Sequence, residues 1–197
     1  MRCESRSAVH PSSTTSTAHF LQGIAKKVRA HAVLSFLLGV LVLSLMGCGD
    51  GDRNETTIVA LLTGDQEVPP RQTGGSGTIT LNVDGQNQEI DYVLELRGTF
   101  TSAITQAHIH LGARGVNGPI FVFLCTNLPP PAGVPRPPEC PAGAGTVAGT
   151  LTATNFIPVS GLSTWGAALN SILAGDTYAN VHSVTFPGGE VRGQIVP

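Results

Sequence analysis

Charged and aromatic side chains are both scarce: 12% of the 197 residues are charged and 5% aromatic, with one tryptophan and two tyrosines. Coiled coils and helical bundles need long charged faces, so this composition excludes them. No apolar run reaches the roughly 20 residues that a helix needs to cross a bilayer core. The longest, Ala32 to Met46, is also interrupted by Ser35, Gly39 and Ser44. No Gly-x-Ser-x-Gly elbow presents a serine nucleophile. The glycines of Gly112, Gly115 and Gly118-Pro119 lead into a strand pattern rather than a helix, so they do not form a phosphate cradle, and nucleotide binding is discounted. What is plentiful is glycine (24) and proline (14), in a chain that is 41% hydrophobic. Short strands, many turns and a single domain are expected.

The charge is unevenly spread. Residues 1–47 carry five of the 11 basic groups and one of the 13 acidic ones, so the remainder, with six bases and twelve acids, is acidic. Nucleic acid is therefore not an expected partner. Lys26, Lys27 and Arg29 precede the apolar run Ala32 to Met46, the pattern of a secretory signal. The run ends in Leu45-Met46-Gly47-Cys48, which resembles a bacterial lipobox. Cleavage before Cys48 would exchange the apolar segment for acyl chains on its thiol, each buried methylene contributing about 0.8 kcal/mol to membrane attachment. The expected organisation is a signal peptide at 1–47, a lipid-anchored tether at 48–55 and one domain at 56–197. The location is the cell envelope, periplasmic or surface-exposed, or secreted if Cys48 carries no lipid.

Export leaves Cys125 and Cys140 as a candidate disulfide in an oxidising compartment. The intervening Thr126 to Glu139 is proline-rich, cannot donate a regular hydrogen-bond ladder and is expected to be an extended loop. Closing it covalently is worth roughly 3 kcal/mol in the chain-entropy account.

The rest reads as an all-β domain. Ile58 to Leu62 is a first strand. Thr78 to Val83 and Ile90 to Arg97 alternate apolar and polar residues around an Asp84-Gly85 turn. Further strands are expected at Ile104 to Leu111, Ile120 to Leu124, Thr146 to Thr152, Tyr178 to Val184 and Val191 to Val196. Together they make an antiparallel sandwich or closed barrel. One short helix near 163–174, capped by Ser163 and ended by Gly175, places Trp165, Leu169, Ile172 and Leu173 on one stripe over an open end of the sandwich.

The three histidines of this domain, His108, His110 and His182, all fall in expected strands. The pleat sends His108 and His110 to one face, roughly 7 Å apart along the strand. His182 projects with Asn180 and Tyr178 and completes a three-nitrogen set if its strand is a neighbour. Imidazole clusters suit copper or zinc. The competing reading is a structural network in which each ring is satisfied by backbone carbonyls or by Asn180 and Thr177.

Several segments, in order, resemble the chordin-type (CHRD) domain: Leu62-Thr63-Gly64-Asp65-Gln66-Glu67-Val68-Pro69-Pro70, Ala107-His108-Ile109-His110-Leu111-Gly112, Gly115-Val116-Asn117-Gly118-Pro119-Ile120, Tyr178-Ala179-Asn180-Val181-His182-Ser183 and Gly189-Glu190-Val191-Arg192-Gly193-Gln194-Ile195. The resemblance implies an immunoglobulin-like β-barrel related to the copper/zinc superoxide dismutase scaffold, and a bacterial lipoprotein form without an assigned activity. By that comparison His108, His110 and His182 resemble copper ligands, and Arg192 resembles an anion-guiding arginine. No histidine lies between His110 and His182, so a bridging ligand and a zinc cluster have no counterpart, which argues against the enzyme. Two readings follow. The first is a non-enzymatic binding or structural module for an extracellular or periplasmic protein or glycan. The second is a copper- or zinc-binding protein, with dismutase-like redox chemistry as its minor variant. An adhesion role for the proline-rich loop is a third.

Overall fold

The structure is a computed structural model and describes residues 55–197. The expected signal peptide at 1–47, Cys48 and the expected tether up to residue 54 lie outside the described residues. The described chain is an antiparallel β-sandwich. Its strands are β1 (Glu55–Leu62), β2 (Gly74–Asp84), β3 (Glu89–Thr99), β4 (Ile104–Leu111), β5 (Ile120–Thr126), β6 (Gly145–Leu151), β7 (Thr177–Ser183) and β8 (Val191–Ile195), with one α-helix, α1 (Trp165–Leu173), before β7. One sheet has the order β1-β2-β3-β6 and the other β5-β4-β7-β8.

The first sheet follows from alternation. Along β1, β2 and β3 every second side chain is buried, and the register stacks them in rows: Ile58 opposite Leu81, Ala60 opposite Ile79, Ile79 opposite Leu94, Val83 opposite Ile90. Val59 and Leu61 point outward and are exposed. β2 begins at Gly74, earlier than the expected Thr78, because Gly74 to Gly77 pair with Thr99 to Leu96. A glycine-rich stretch has weak strand propensity, so only the partner strand defines it. Across the sandwich the Tyr92 hydroxyl donates to the carbonyl of Leu124 (2.5 Å), and burial pushes its pKa up to about 12. The sheets also meet at one edge, where Thr63 and Arg192 exchange two backbone hydrogen bonds.

The helix closes one end, as expected, with two corrections. Its N-cap is Thr164, whose side chain accepts from the Ala167 N–H, and not Ser163. Its buried stripe is Trp165, Ala168, Leu169 and Ile172, whereas Leu173 is 39% exposed. Trp165 Nε1 donates to the carbonyl of Gln88 (2.6 Å), tying α1 to the β2–β3 turn. Cys125 and Cys140 are disulfide-bonded. Strand β5 runs through Cys125 to Thr126, so the loop leaves the sheet two residues later than expected. Asn127 organises its base by donating to the carbonyls of Ile104 and Cys140 and accepting from the Cys140 N–H. Among the described residues no helix is long and apolar enough to cross a membrane.

The second sheet departs from simple alternation, since every residue of β7 and β8 is buried. Its inner face packs Ala179, Val181, Val191 and Ile195 into the core. The outer face, bearing Tyr178, Asn180, His182, Arg192 and Gln194, is covered by the loops around residues 64–71, 112–119 and 186–190.

Candidate metal centre

β4 lies between β5 and β7, and its register with β7 places His108 opposite Asn180, His110 opposite Tyr178 and Gln106 opposite His182. His182 is thus the diagonal neighbour of His108 on the same face, within side-chain reach. The three histidines converge, each offering a ligand atom, with these atoms all within 4.8 Å of one another. His108 Nδ1 stands 3.0 Å from His182 Nε2. Two nitrogens sharing an ion at about 2.0–2.1 Å in tetrahedral geometry stand about 3.3 Å apart, so this pair is close to ligand spacing.

Two backbone carbonyls set the tautomers. His110 Nδ1–H donates to the carbonyl of Gly118 (2.9 Å), and His182 Nδ1–H to that of Pro187 (2.9 Å). A carbonyl only accepts, so the Nε2 of each ring keeps its lone pair. This is the arrangement in which a metal-binding imidazole is usually held, its second nitrogen donating to a carbonyl. His182 Nε2 accepts from His108 Nδ1–H in the absence of an ion. His108 Nε2 and His110 Nε2 are fully buried and have no hydrogen-bond partner among the described residues, which is rare for buried polar atoms. The carbonyls thus satisfy one nitrogen on two of the rings, and His108 Nδ1 faces His182 Nε2.

Burial keeps all three rings neutral, the ligand form. Desolvation, with the neighbouring His182 and His110, drives the pKa of His108 down to about 2. Desolvation lowers that of His110 to about 4, against an opposing contribution from the Gly118 carbonyl. His182 is lowered by burial as well, with the Pro187 carbonyl opposing.

A stack braces the centre. The His110 ring lies 4.7 Å from Tyr178 at 12°, and on the β8 side the Arg192 guanidinium sits 3.4 Å from the same phenol ring. Arg192 is 1% exposed and donates to Asn117 Oδ1 (3.1 Å) and to the carbonyls of Ala113 (3.1 Å) and Val116 (2.8 Å). The Gly118 N–H donates to the Tyr178 hydroxyl (3.1 Å). The circuit closes on itself: Arg192 holds the 112–119 loop, the loop's Gly118 orients His110, and His110 stacks on Tyr178. Arg192, which the resemblance likens to an anion-guiding arginine, holds this loop through these hydrogen bonds and also lines the cavity beside it. His108 meets the edge of Phe123, with centroids 4.3 Å apart.

Glu67 and the bracing role of Tyr178 are not among the expectations drawn from the sequence. Glu67 is 4% exposed and accepts from Asn180 Nδ2 (2.6 Å). Burial pushes its pKa up to about 7, against the opposing pull of the Val68 N–H, Arg192, Arg71 and Asn180. Gly189, at φ 123°, lies against this pair: a Cβ there would overlap Asn180 Nδ2 and Glu67 Oε1, so only glycine fits. A cavity of about 250 Å³ lies alongside, lined by Asp65, Glu67, Arg114, Arg192 and Gln194 among others, and none of the three histidines lines it. Glu67 sits in a Val-Pro-Pro context that reads as a turn, and with Asp65 two residues before it no local signal sets it apart as buried.

A two-layer antiparallel sandwich with a histidine trio on one covered face defines the class of protein. The family model of the CHRD domain matches residues 58–195, more than half of the chain, and the chain belongs to that family. Neither the curated proteins nor the solved structures compared with the chain match it.

Proposed function

We propose that this CHRD domain is a transition-metal-binding module, with His108, His110 and His182 as the nitrogen ligands of one copper or zinc ion. The observation that carries the reading is the set of buried neutral imidazoles converging within 4.8 Å, two of them with a nitrogen lacking any partner. Thr177 Oγ1, Asn180 Oδ1 and Gln194 Oε1 also lack a partner among the described residues, so the convergence of the three rings carries the reading. Three imidazoles without a thiolate suit copper and zinc, and copper binds such sets more tightly in the divalent series. The role is non-enzymatic binding. The cysteine at the end of the apolar amino-terminal run and the Cys125–Cys140 disulfide support placing the module in the cell envelope, tethered through residues 48–54 to a lipid on Cys48.

Calorimetric titration of the purified, naturally exported protein with Cu(II) and with Zn(II) tests the metal reading. One equivalent is expected to bind, and uptake is expected to disappear in His110→Ala and His182→Ala. Absence of uptake of Cu(II), of Zn(II) and, under anaerobic ascorbate, of Cu(I) by the folded wild-type protein overturns it. Incorporation of labelled palmitate, lost in Cys48→Ser, tests the anchor.

A further inference from the structure

We infer that the centre is built for the monovalent ion, Cu(I), in preference to Cu(II) or Zn(II). This rests on the metal-centre reading and concerns which ion that centre holds. The first ground is the donor set. Among the described residues, the group able to share an ion holds three histidines and no carboxylate or thiolate. Neutral nitrogens compensate none of the ion's charge, so the site carries the whole of it. The cost of burying a charge grows with its square, so a divalent ion costs about four times as much as a monovalent one in the same low-dielectric surroundings.

The second ground is access. His108, His110 and His182 are 1%, 7% and 7% exposed. Zn(II) in a three-ligand site takes water or substrate as its fourth ligand, and Cu(II) prefers a tetragonal set. A closed-shell monovalent copper ion is content with three nitrogens, so it needs the least from a sliver of open surface.

The third ground is the fixed charge nearby. β7 lies between β4 and β8, so Tyr178 is sandwiched between His110 and the Arg192 guanidinium. That permanent cation opposes further positive charge at the centre. The buried carboxyl of Glu67 is bound to Asn180 rather than to a histidine, and with its pKa near 7 it is only partly ionised at neutral pH. The stacked cation and the weak acid therefore both favour the ion of lower charge.

Competition assays on the purified full protein decide this. Under anaerobic ascorbate, Cu(I) is partitioned between the protein and bathocuproine disulfonate. Cu(II) and Zn(II) are partitioned separately against chelators of known affinity. The expected result is one equivalent of Cu(I), bound at least about 100-fold more tightly than either divalent ion. Protein loaded with Cu(II) is expected to lose its paramagnetic signal when ascorbate supplies one electron per copper, and to keep the metal through gel filtration. Tighter binding of Zn(II) or Cu(II) than of Cu(I) overturns the inference while the metal-centre reading stands. Failure of all three ions to bind the folded protein overturns both.

Discussion

Acid should unfold the metal-free domain in a way set by its buried rings, with a sign that can be worked out group by group. His108 and His110 have folded pKa values of about 2 and about 4, both below the ordinary histidine value of 6.5. A group whose pKa is depressed by folding costs nothing above its unfolded pKa. As pH falls below about 6.5 the unfolded chain takes up a proton that the folded chain refuses, at about 1.4 kcal/mol per pH unit for each ring. By pH 4 each of these two histidines has therefore removed up to about 3 kcal/mol, against a total domain stability of roughly 5–15 kcal/mol. His182 acts in the same direction.

Glu67 runs the other way. Its folded pKa is raised to about 7, so as pH falls from 7 toward 4.5 the folded state binds a proton before the unfolded state does, and stability increases. The expected profile is a shallow decline between pH 6.5 and 4.5, then a steep one below, where the Glu67 contribution is complete. Glu190 steepens that last part. Burial raises its pKa, but hydrogen bonds from Ser183, Thr101 and Thr73 outweigh the burial and hold it below the usual range, so its contribution is lost as pH falls through that range. Trp165, the chain's one tryptophan and 5% exposed, reports unfolding by its fluorescence. Urea midpoints of metal-free protein from pH 7.5 to 3.5 give the curve, and Glu67→Gln removes the compensating acid and should make the decline steep from pH 6.5 downward. A Glu67→Gln midpoint that stays level from pH 7 to pH 4 would refute the claim that the histidines are buried and neutral.

Other perturbations have single expected outcomes. Replacing Cys125 and Cys140 together by alanine should cost about 3 kcal/mol in urea unfolding, and the unmodified exported protein should show neither thiol to Ellman's reagent before reduction. Leu94→Ala, at a fully buried position facing Ile79 and Val147, should cost about 2–5 kcal/mol, while Val93→Ala on the outer face of the same strand should change stability by less than about 0.5 kcal/mol. Arg192→Leu leaves three acceptors of the 112–119 loop without their donor and should cost at least about 2 kcal/mol, read by thermal unfolding; an unchanged melting temperature would deny it the clamp role. Gly189→Ala should weaken metal uptake and stability together, because it displaces Glu67 and Asn180.

Much of the sandwich was legible because one physical pattern controls it. In β1 to β3 a side chain is either in the core or in water, and the two-residue period of Ile79, Leu81 and Val83 against Thr78, Thr80 and Asn82 records that choice. The pattern was lost where the partner supplied the reason. Gly74 to Gly77 are strand because β3 lines them up, and Thr164 rather than Ser163 caps α1 because the first turn begins one residue later. The same-face placement of His108 and His110 followed from the pleat alone. What the sequence could not carry was the surroundings of those rings. The Gly118 and Pro187 carbonyls that direct their protons belong to backbone, which is alike at every position until the chain is folded.

That difference bears on why a polar cluster is buried here at all. The first sheet leaves its outer face in water, so polar residues there are free of any need for partners. The second sheet is roofed by three loops, and a loop brings what another sheet would not: backbone carbonyls and N–H groups not already committed to a ladder. These groups satisfy His110, His182, Tyr178 and Arg192, so the roof makes burial of the imidazoles tolerable. It stops short at the His108 and His110 Nε2 atoms, which are buried without a partner among the described residues. A roof evolved only to cover the sheet would meet its lowest free energy with apolar residues at positions 108, 110 and 182, as Ala107, Ile109 and Val181 do on the opposite face. Substituting the three histidines together by leucine should therefore raise the urea midpoint of the metal-free protein at pH 5 while abolishing metal uptake. A triple variant no more stable at pH 5 than the parent would mean that the rings hold the fold together, and the case for a metal centre would lose its energetic basis.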